Sequence, residues 1–283
     1  MLNVINSFWF QGVVPPVTTP FIAAHNAISG SIMDSIQQTA VTTLYNQLSG
    51  IGTPNGNNLL SYFQTNSSSR LWILVPVNDT TVNANAYTLD AIHLNQDATY
   101  NGFVSGDFLP TGVAGGSGKF FNAIVSPSNF GQNNLSVHVF GRDFYNGPAQ
   151  FSYGVTQTMG ITSIGVRMNP QAIGRLYYKV NASGDYSFVT PQPNGLVSVN
   201  RASSTTVTAY ENATLINTIS STSETPPTFP LYFYAVNSGG SPTRYRTSRM
   251  SMYAILPSMT TNQLTDFNFA IQNFQANVIT GGR

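Results

Sequence analysis

The chain has no cysteine in its 283 residues, so disulfides, thiolate nucleophiles and cysteine-ligated zinc are excluded. Charge is scarce as well: 11 Lys and Arg against 10 Asp and Glu make up 7% of the chain, where an ordinary soluble domain has about 25%. So few cations, with a net charge of +1, argue against nucleic-acid binding by counterion release. Glutamate is limited to Glu211 and Glu224, neither in an alternating acidic pair, which leaves a glycosidase without its facing carboxylates. The histidines, His25, His93 and His138, are far apart and lack metal-ligand spacing. No stretch reaches the roughly 18 apolar residues of a membrane helix. Met1 to Phe10 has neither the basic start nor the apolar core of a secretion signal, so neither membrane insertion nor export by that route is expected.

What is present is apolar and uncharged-polar. Hydrophobic residues are 41% of the chain, with 2 Trp, 14 Tyr and 18 Phe, far from the high-charge signature of disorder. Each buried aromatic contributes on the order of a few kcal/mol, so stability rests on the core. A surface of Asn, Thr and Ser hydrates without long charged side chains and puts little Coulombic repulsion between neighbouring copies. That suits a close-packed assembly, and equally an ordinary extracellular β protein.

Local patterns predict strands closed by a helix. Leu231–Val236 and Arg249–Ile255 alternate on either side of Asn237–Pro242, the pattern of a half-buried antiparallel pair. After Thr260 and Thr261, either able to cap, Leu264, Phe267, Ile271, Phe274 and Val278 share one helical face up to Gly281 and Gly282. Near the other end, Ile32, Ile36, Ala40, Leu44 and Leu48 recur every four residues between a Ser29 or Ser31 cap and a Gly50 stop. Phe8 to Ala24 mixes bulky apolar side chains with Pro15, Pro16 and Pro20 and reads as an extended arm. Between these lie short runs: Leu71–Val77, buried on both sides, and Gly165–Met168, Leu176–Val180 and Thr205–Tyr210. Turns are expected at 181–185 and 191–195. No βαβ alternation occurs, which argues against a doubly wound enzyme.

The order of elements resembles the laminin G-like, concanavalin A-like jelly-roll modules in structural proteins of tailed bacteriophages, particularly crAss-like and other phages of Bacteroidetes. The resemblance is carried by the polar loop Asn237–Pro242, the Arg-containing strand from Arg249 and the terminal amphipathic helix. It extends to Gly112–Ala123, similar to the Gly-rich approach to the first sandwich strand, and to Ser128–Phe140 as the next. Leu196–Arg201 followed by 205–212 resembles the middle of such a module. The likeness spans roughly residues 45 to 283. It implies an all-β jelly-roll sandwich over residues 51–283, closed by a helix at about 261–279, with residues 1–50 as an N-terminal arm and helix for attachment. It further implies a non-enzymatic structural protein of a virion, as head fibre, capsid decoration or tail-associated component, whose partners are copies of itself and other virion proteins.

Candidate contacts follow from these readings. Phe8, Trp9, Phe10 and Phe21 would be assembly contacts, the arm lying on a neighbour or on its own domain. The alternative function, a glycan-binding adhesion or receptor-binding module with a host-surface glycan as partner, would use Tyr177, Tyr178, Tyr232 and Tyr245 as stacking rings. Arg244 and Arg246 would make an outward basic spot, with Arg249 facing the other way. Asp90, Asp97 and Asp107 lie close enough in sequence to gather round calcium but lack EF-hand spacing. Gly112–Lys119 fails as a phosphate loop, because Val113 and Phe120 occupy the positions that need Gly and a hydroxyl. No catalytic residue and no cofactor is assigned. The sequons at Asn78 and Asn212 are chance products of an Asn- and Thr-rich chain.

Overall fold

The computed structural model describes residues 20–29, 32–73, 89–94, 98–109, 111–142, 150–156, 161–168, 174–182, 186–189 and 195–280. Three helices, α1 (Pro20–Ser29), α2 (Ser35–Leu48) and α3 (Leu59–Gln64), precede the strands, and a long helix, α4 (Thr261–Thr280), follows them. Two antiparallel sheets lie between. The first runs β13 (Thr214–Ser220), β12 (Thr206–Glu211), β11 (Gly195–Arg201), β6 (Leu135–Gly141), β17 (Arg249–Leu256), β4 (Gly112–Ala114), β3 (Phe108–Leu109). Strand β1 (Arg70–Ile73) joins it end to end with β4, both pairing the same edge of β17. The second runs β10 (Tyr186–Val189), β9 (Gly174–Ala182), β8 (Ile161–Met168), β7 (Gln150–Thr156), β14 (Tyr232–Phe233), β5 (Phe120–Asn122), β2 (Thr99–Asn101). Beside β7 lies the hairpin of β15 (Val236–Ser238) and β16 (Ser241–Thr243), β15 running parallel to it. This is the expected jelly-roll β-sandwich with a C-terminal helix.

Strand alternation divides the core in two. From β6, Leu135, Val137 and Val139 enter the space between the sheets, with Tyr253 and Ile255 of β17, Val197 and Val199 of β11 and Trp72 of β1. The intervening positions point the other way: Phe140, Leu196, Met252, Ala254 and Leu256 pack against α1, α2, α3 and α4. The middle strands β11, β6 and β17 are thus buried on both faces. Trp72 is fully buried, with Phe121 and Phe233 edge-on at 5.5 and 5.3 Å.

The helical layer differs from expectation at its start. The arm was expected to stay extended through Ala24, but the chain is helical from Pro20, whose fixed φ and missing N–H suit a first helical position. Phe21 is buried against its own domain, 6.2 Å from the Tyr45 ring, which removes it from the exposed assembly contacts. Phe8, Trp9 and Phe10 lie outside the described residues. Helix α2 is capped by Asp34, not by Ser29 or Ser31: Asp34 accepts from the Gln37 N–H while Gln37 returns a bond to the Asp34 N–H. Its buried stripe is Gln37, Ala40, Val41, Leu44, Gln47 and Leu48; Ile36 is 46% and Ile32 79% exposed. A strict four-residue step drifts about 40° per repeat on a helix of 3.6 residues per turn, and that drift carries Ile36 out of the stripe. Gly50 does stop the helix. It has φ +91°, its N–H bonds Gln47 and that of Ile51 reaches back to Asn46, the paired bonds of a Schellman end.

α2 packs on α4, and both share one apolar cluster with the sheet. Helices α1 and α2, both before residue 50, therefore share their apolar core with the sandwich. The α4 expectation holds: Thr260 caps it in a reciprocal bond pair with Gln263, and Leu264, Phe267, Ile271, Phe274 and Val278 are all buried. Gly281 and Gly282 lie outside the described residues.

The strand pair expected from the last fifty residues is a correction. β14 and β17 lie in opposite sheets. The first run ends after Phe233 because Tyr234 takes φ +64°. Both runs are buried on both faces, so each finds its partners far away in sequence. The polar loop is itself the β15–β16 hairpin, with Gly239 and Gly240 at φ +60° and +99° in its two-residue turn. At the expected turns, Asn181 and Ala182 continue β9 and Gly195 opens β11; residues 183–185 and 191–194 lie outside the described residues.

Candidate functional site

A cleft of about 340 Å³ opens where one end of the first sheet meets the second half of α4. Phe140, Gly141 and Arg142 enter it from the end of β6, Gly195 from the start of β11, Asn212 from the β12–β13 turn, and Gln272 and Ala276 from α4. The turn is two residues, Asn212 and Ala213, at φ +47° and +66°. Asn tolerates that region better than most side chains, and such a turn matches the twist of a hairpin.

Asn212 is fixed from three sides. Its N–H donates to the Leu196 carbonyl (2.9 Å), and its side-chain oxygen accepts from the Leu196 N–H (3.0 Å) and from Gln272 Nε2 (2.9 Å). Gly195 permits this approach: a Cβ there would lie 2.2 Å from Asn212 Oδ1, and its φ of +119° favours glycine in any case.

Arg142 also lines the cleft. Its guanidinium carbon lies 4.8 Å from the centroid of Phe140, a cation–π distance. Nη2 donates to the side-chain and backbone oxygens of Gln275 on α4. Burial, and next the neighbouring Arg249 cation, lower its pKa to about 10, so it remains charged at neutral pH. No ion pair among the described residues involves Arg142. The cleft is therefore lined by a cation held over a buried aromatic ring and by amide groups.

The residues singled out from sequence do not assemble into a site. Tyr178 is fully buried in the sandwich core, and burial pushes its phenol up to about 12. Tyr232 is buried and stacked on Phe120 at 4.6 Å. Tyr177 lies in β9, its side chain outside the described residues. Arg246 is fully buried, whereas Arg244 is exposed at φ +52°. The outward pair fails because residues 244–248 are not a strand, so the alternation assumed across them does not exist. Tyr245 is half-buried and donates to the Pro242 carbonyl.

The acidic residues are engaged within the fold. Asp90 is fully buried and accepts the N–H groups of Leu71, Ile92 and His93, with Arg70 and the His93 ring beside it. Asp107 accepts the Val104 N–H and pairs with Lys119. Asp97 lies outside the described residues. His138 is fully buried beneath α4, its two nitrogens 2.8 and 2.9 Å from the hydroxyls of Ser198 and Ser136; burial lowers its pKa to about 3. No cluster of three or more His, Cys, Asp or Glu side chains able to hold a metal occurs among the described residues.

Arg142, Gln272 and Gln275 escaped sequence reasoning. Asn212 drew notice only as a chance sequon. The available signal was an Asn just past an alternating run, marking the hairpin turn, and a Gly-Arg pair ending a buried strand.

No protein-family model matches the chain, and neither does any curated protein. Among solved structures, a receptor-binding domain is similar at TM-score 0.50 and 16% identity, over 75% of this chain and 53% of that one. The binding domain of botulinum neurotoxin DC, solved with rat synaptotagmin II, aligns at TM-score 0.48 and 15% identity, over 73% and 52%. A heptameric SAP-like pentraxin from Limulus polyphemus aligns at 0.32 and 12%, over 47% and 68%. The chain spans about half the length of the two binding domains. At these identities the likeness is one of fold.

Proposed function

We propose that this chain is a non-enzymatic recognition module that binds a surface glycan through the cleft between β6, β11 and α4. The observation that carries the reading is the lining of that cleft. Sugar sites depend on a few fixed polar groups, and here Asn212, Gln272 and the Arg142 guanidinium, held over the buried Phe140 ring, supply them. The receptor-binding domain similar in fold at TM-score 0.50 supports a binding role for the sandwich. The described carboxylates Asp90, Asp107 and Asp266 are held by protein donors, which supports a role without acid–base chemistry.

The test is a screen of the full chain on an array of neutral and acidic glycans, repeated with Gln272→Ala. Selective retention that the variant loses is the expected result. Uniform failure to bind, with a folded protein by thermal melt, overturns it.

A second reading places the module in a bacteriophage particle, as head fibre, capsid decoration or tail-associated component, with copies of itself and other virion proteins as partners. Exposed Ile32, just before α2, and Ile36, in its first turn, favour a subunit contact there, as does the low charge. Light scattering of the full chain and of Ile32→Ser/Ile36→Ser decides this. A defined oligomer that the double variant dissolves supports it, and a monomer at every concentration removes it.

A further inference from the structure

We infer that the ligand of the cleft is a carboxylate-bearing sugar, a uronic or sialic acid residue, with Arg142 as its anion contact. The inference rests on the glycan-binding reading and narrows it.

The first ground is an imbalance of charge. Arg142 is a half-buried cation whose hydrogen-bond partners are the neutral side chain and carbonyl of Gln275, and no described carboxylate pairs with it. Arg249 lies close enough to depress its proton affinity further, so two cations meet at this end of the sheet. A half-buried charge in such surroundings gains from any anion that reaches it.

The second ground is geometry. Phe140 beneath the guanidinium and Gln275 at its edge hold the planar fork in one orientation. Nε is buried and Nη2 is held by Gln275, so a carboxylate would meet the remaining edge of a pre-oriented guanidinium, an orientation a lysine does not hold. The volume of about 340 Å³ is at the small end of ligand pockets, roughly 300–1,000 Å³, which fits one or two sugar rings better than a peptide. One turn along α4 from Gln275, Gln272 donates through Nε2 to Asn212, and this leaves its side-chain oxygen as an oriented acceptor for a ring hydroxyl. An anion at Arg142 and a hydroxyl at Gln272 describe an acidic sugar.

The test uses the full chain and two matched pairs of ligands: trigalacturonate against its methyl ester, and sialyllactose against lactose. Affinities are measured by calorimetry for the wild type, Arg142→Gln and Arg142→Lys, with melting curves for each. In at least one pair the acid should bind about tenfold more tightly than its neutral partner, the scale of one charge-assisted contact. Arg142→Gln should abolish that preference, and Arg142→Lys should retain part of it. The preferred pair distinguishes a uronate from a sialic acid. Equal affinity for acid and ester, or a preference that survives in Arg142→Gln, overturns the carboxylate assignment and leaves glycan binding standing. If all four ligands and the array fail together, the glycan reading itself falls. Should Arg142→Gln not fold, full retention of the preference in Arg142→Lys at raised salt, where a charge contact should weaken, overturns the inference.

Discussion

Asp266, in the second turn of α4, accepts both N–H groups that Asn57 offers, the backbone at 3.0 Å and the side chain at 2.7 Å. Asn55 repeats the arrangement on the other carboxylate oxygen, at 2.9 and 3.0 Å. Four donors from one loop thus converge on one buried acid, and the loop between α2 and α3 is tied to the last helix.

Burial alone would raise the pKa of Asp266, but the four N–H groups outweigh it and hold the carboxyl below its usual range. A group depressed on folding stabilises above its unfolded pKa, about 3.9, and that stabilisation is lost as pH falls through the folded value. Asp266→Asn replaces one of the two acceptor oxygens by an NH2 donor facing donors and should cost about 3 kcal/mol at pH 7. The gap between wild type and variant, followed by urea denaturation, should narrow below about pH 4. An unchanged gap at pH 3 would contradict the assignment.

For His138 the sign is the same and the window differs. Its folded pKa of about 3 lies below the unfolded value, about 6.5, so the unfolded chain takes up the proton first. Stability should be complete above pH 6.5 and decline as pH falls toward 3, by up to about 1.4 kcal/mol per pH unit from this group. His138→Gln keeps a donor and an acceptor for Ser136 and Ser198. It should flatten the decline between pH 6.5 and 5; a slope identical to wild type would show that His138 is not the group responsible.

Arg201 joins the two sheets from inside. It is fully buried on β11, and Nε donates to the Val180 carbonyl of β9 at 2.6 Å, while Nη1 and Nη2 reach the Ser221 carbonyl and hydroxyl at 2.9 Å. Arg201→Met fills similar space and leaves these oxygens without their donor. The expected loss is about 3–5 kcal/mol by denaturant unfolding, and a loss below about 1 kcal/mol would mean that water or rearrangement replaces the fork.

At Gly195, alanine would place its Cβ against Asn212 Oδ1. Displacing Asn212 breaks its bonds to Leu196 and Gln272 together. Gly195→Ala should therefore melt lower, by about 1–3 kcal/mol in stability, and should also lose glycan retention on the array. Lower stability with full retention would exclude Asn212 from the recognition surface.

Local chemistry was legible in the sequence wherever it acts within a few residues. The α4 stripe from Leu264 to Val278 and the Gly50 stop depend on spacing and backbone freedom alone, and both stand as expected. Partnership was not legible. The Tyr232–Phe233 and Arg249–Leu256 runs have the right periodicity for neighbours, yet residues 121 and 153 claim the first and residue 139 the second. Both runs are buried on both faces, so alternation no longer marks an outside. The cleft was hidden for the same reason: Arg142, Asn212 and Gln272 come from three distant segments, and each alone is an unremarked polar residue.

The position of β17 has a kinetic consequence. It is the last strand in the chain and lies inside its sheet, with β6 on one side and β1 and β4 on the other. Until it arrives, β6, β11, β12 and β13 have no link to β1, β3 and β4, and each group exposes an unpaired edge. Closure of the sheet requires Trp72 to find Tyr253 across most of the chain, a separation that slows two-state folding. During synthesis, more than two hundred residues therefore leave the ribosome before the central seam can form. The half-built sheet meets chaperones, or other copies of itself, with bare edges.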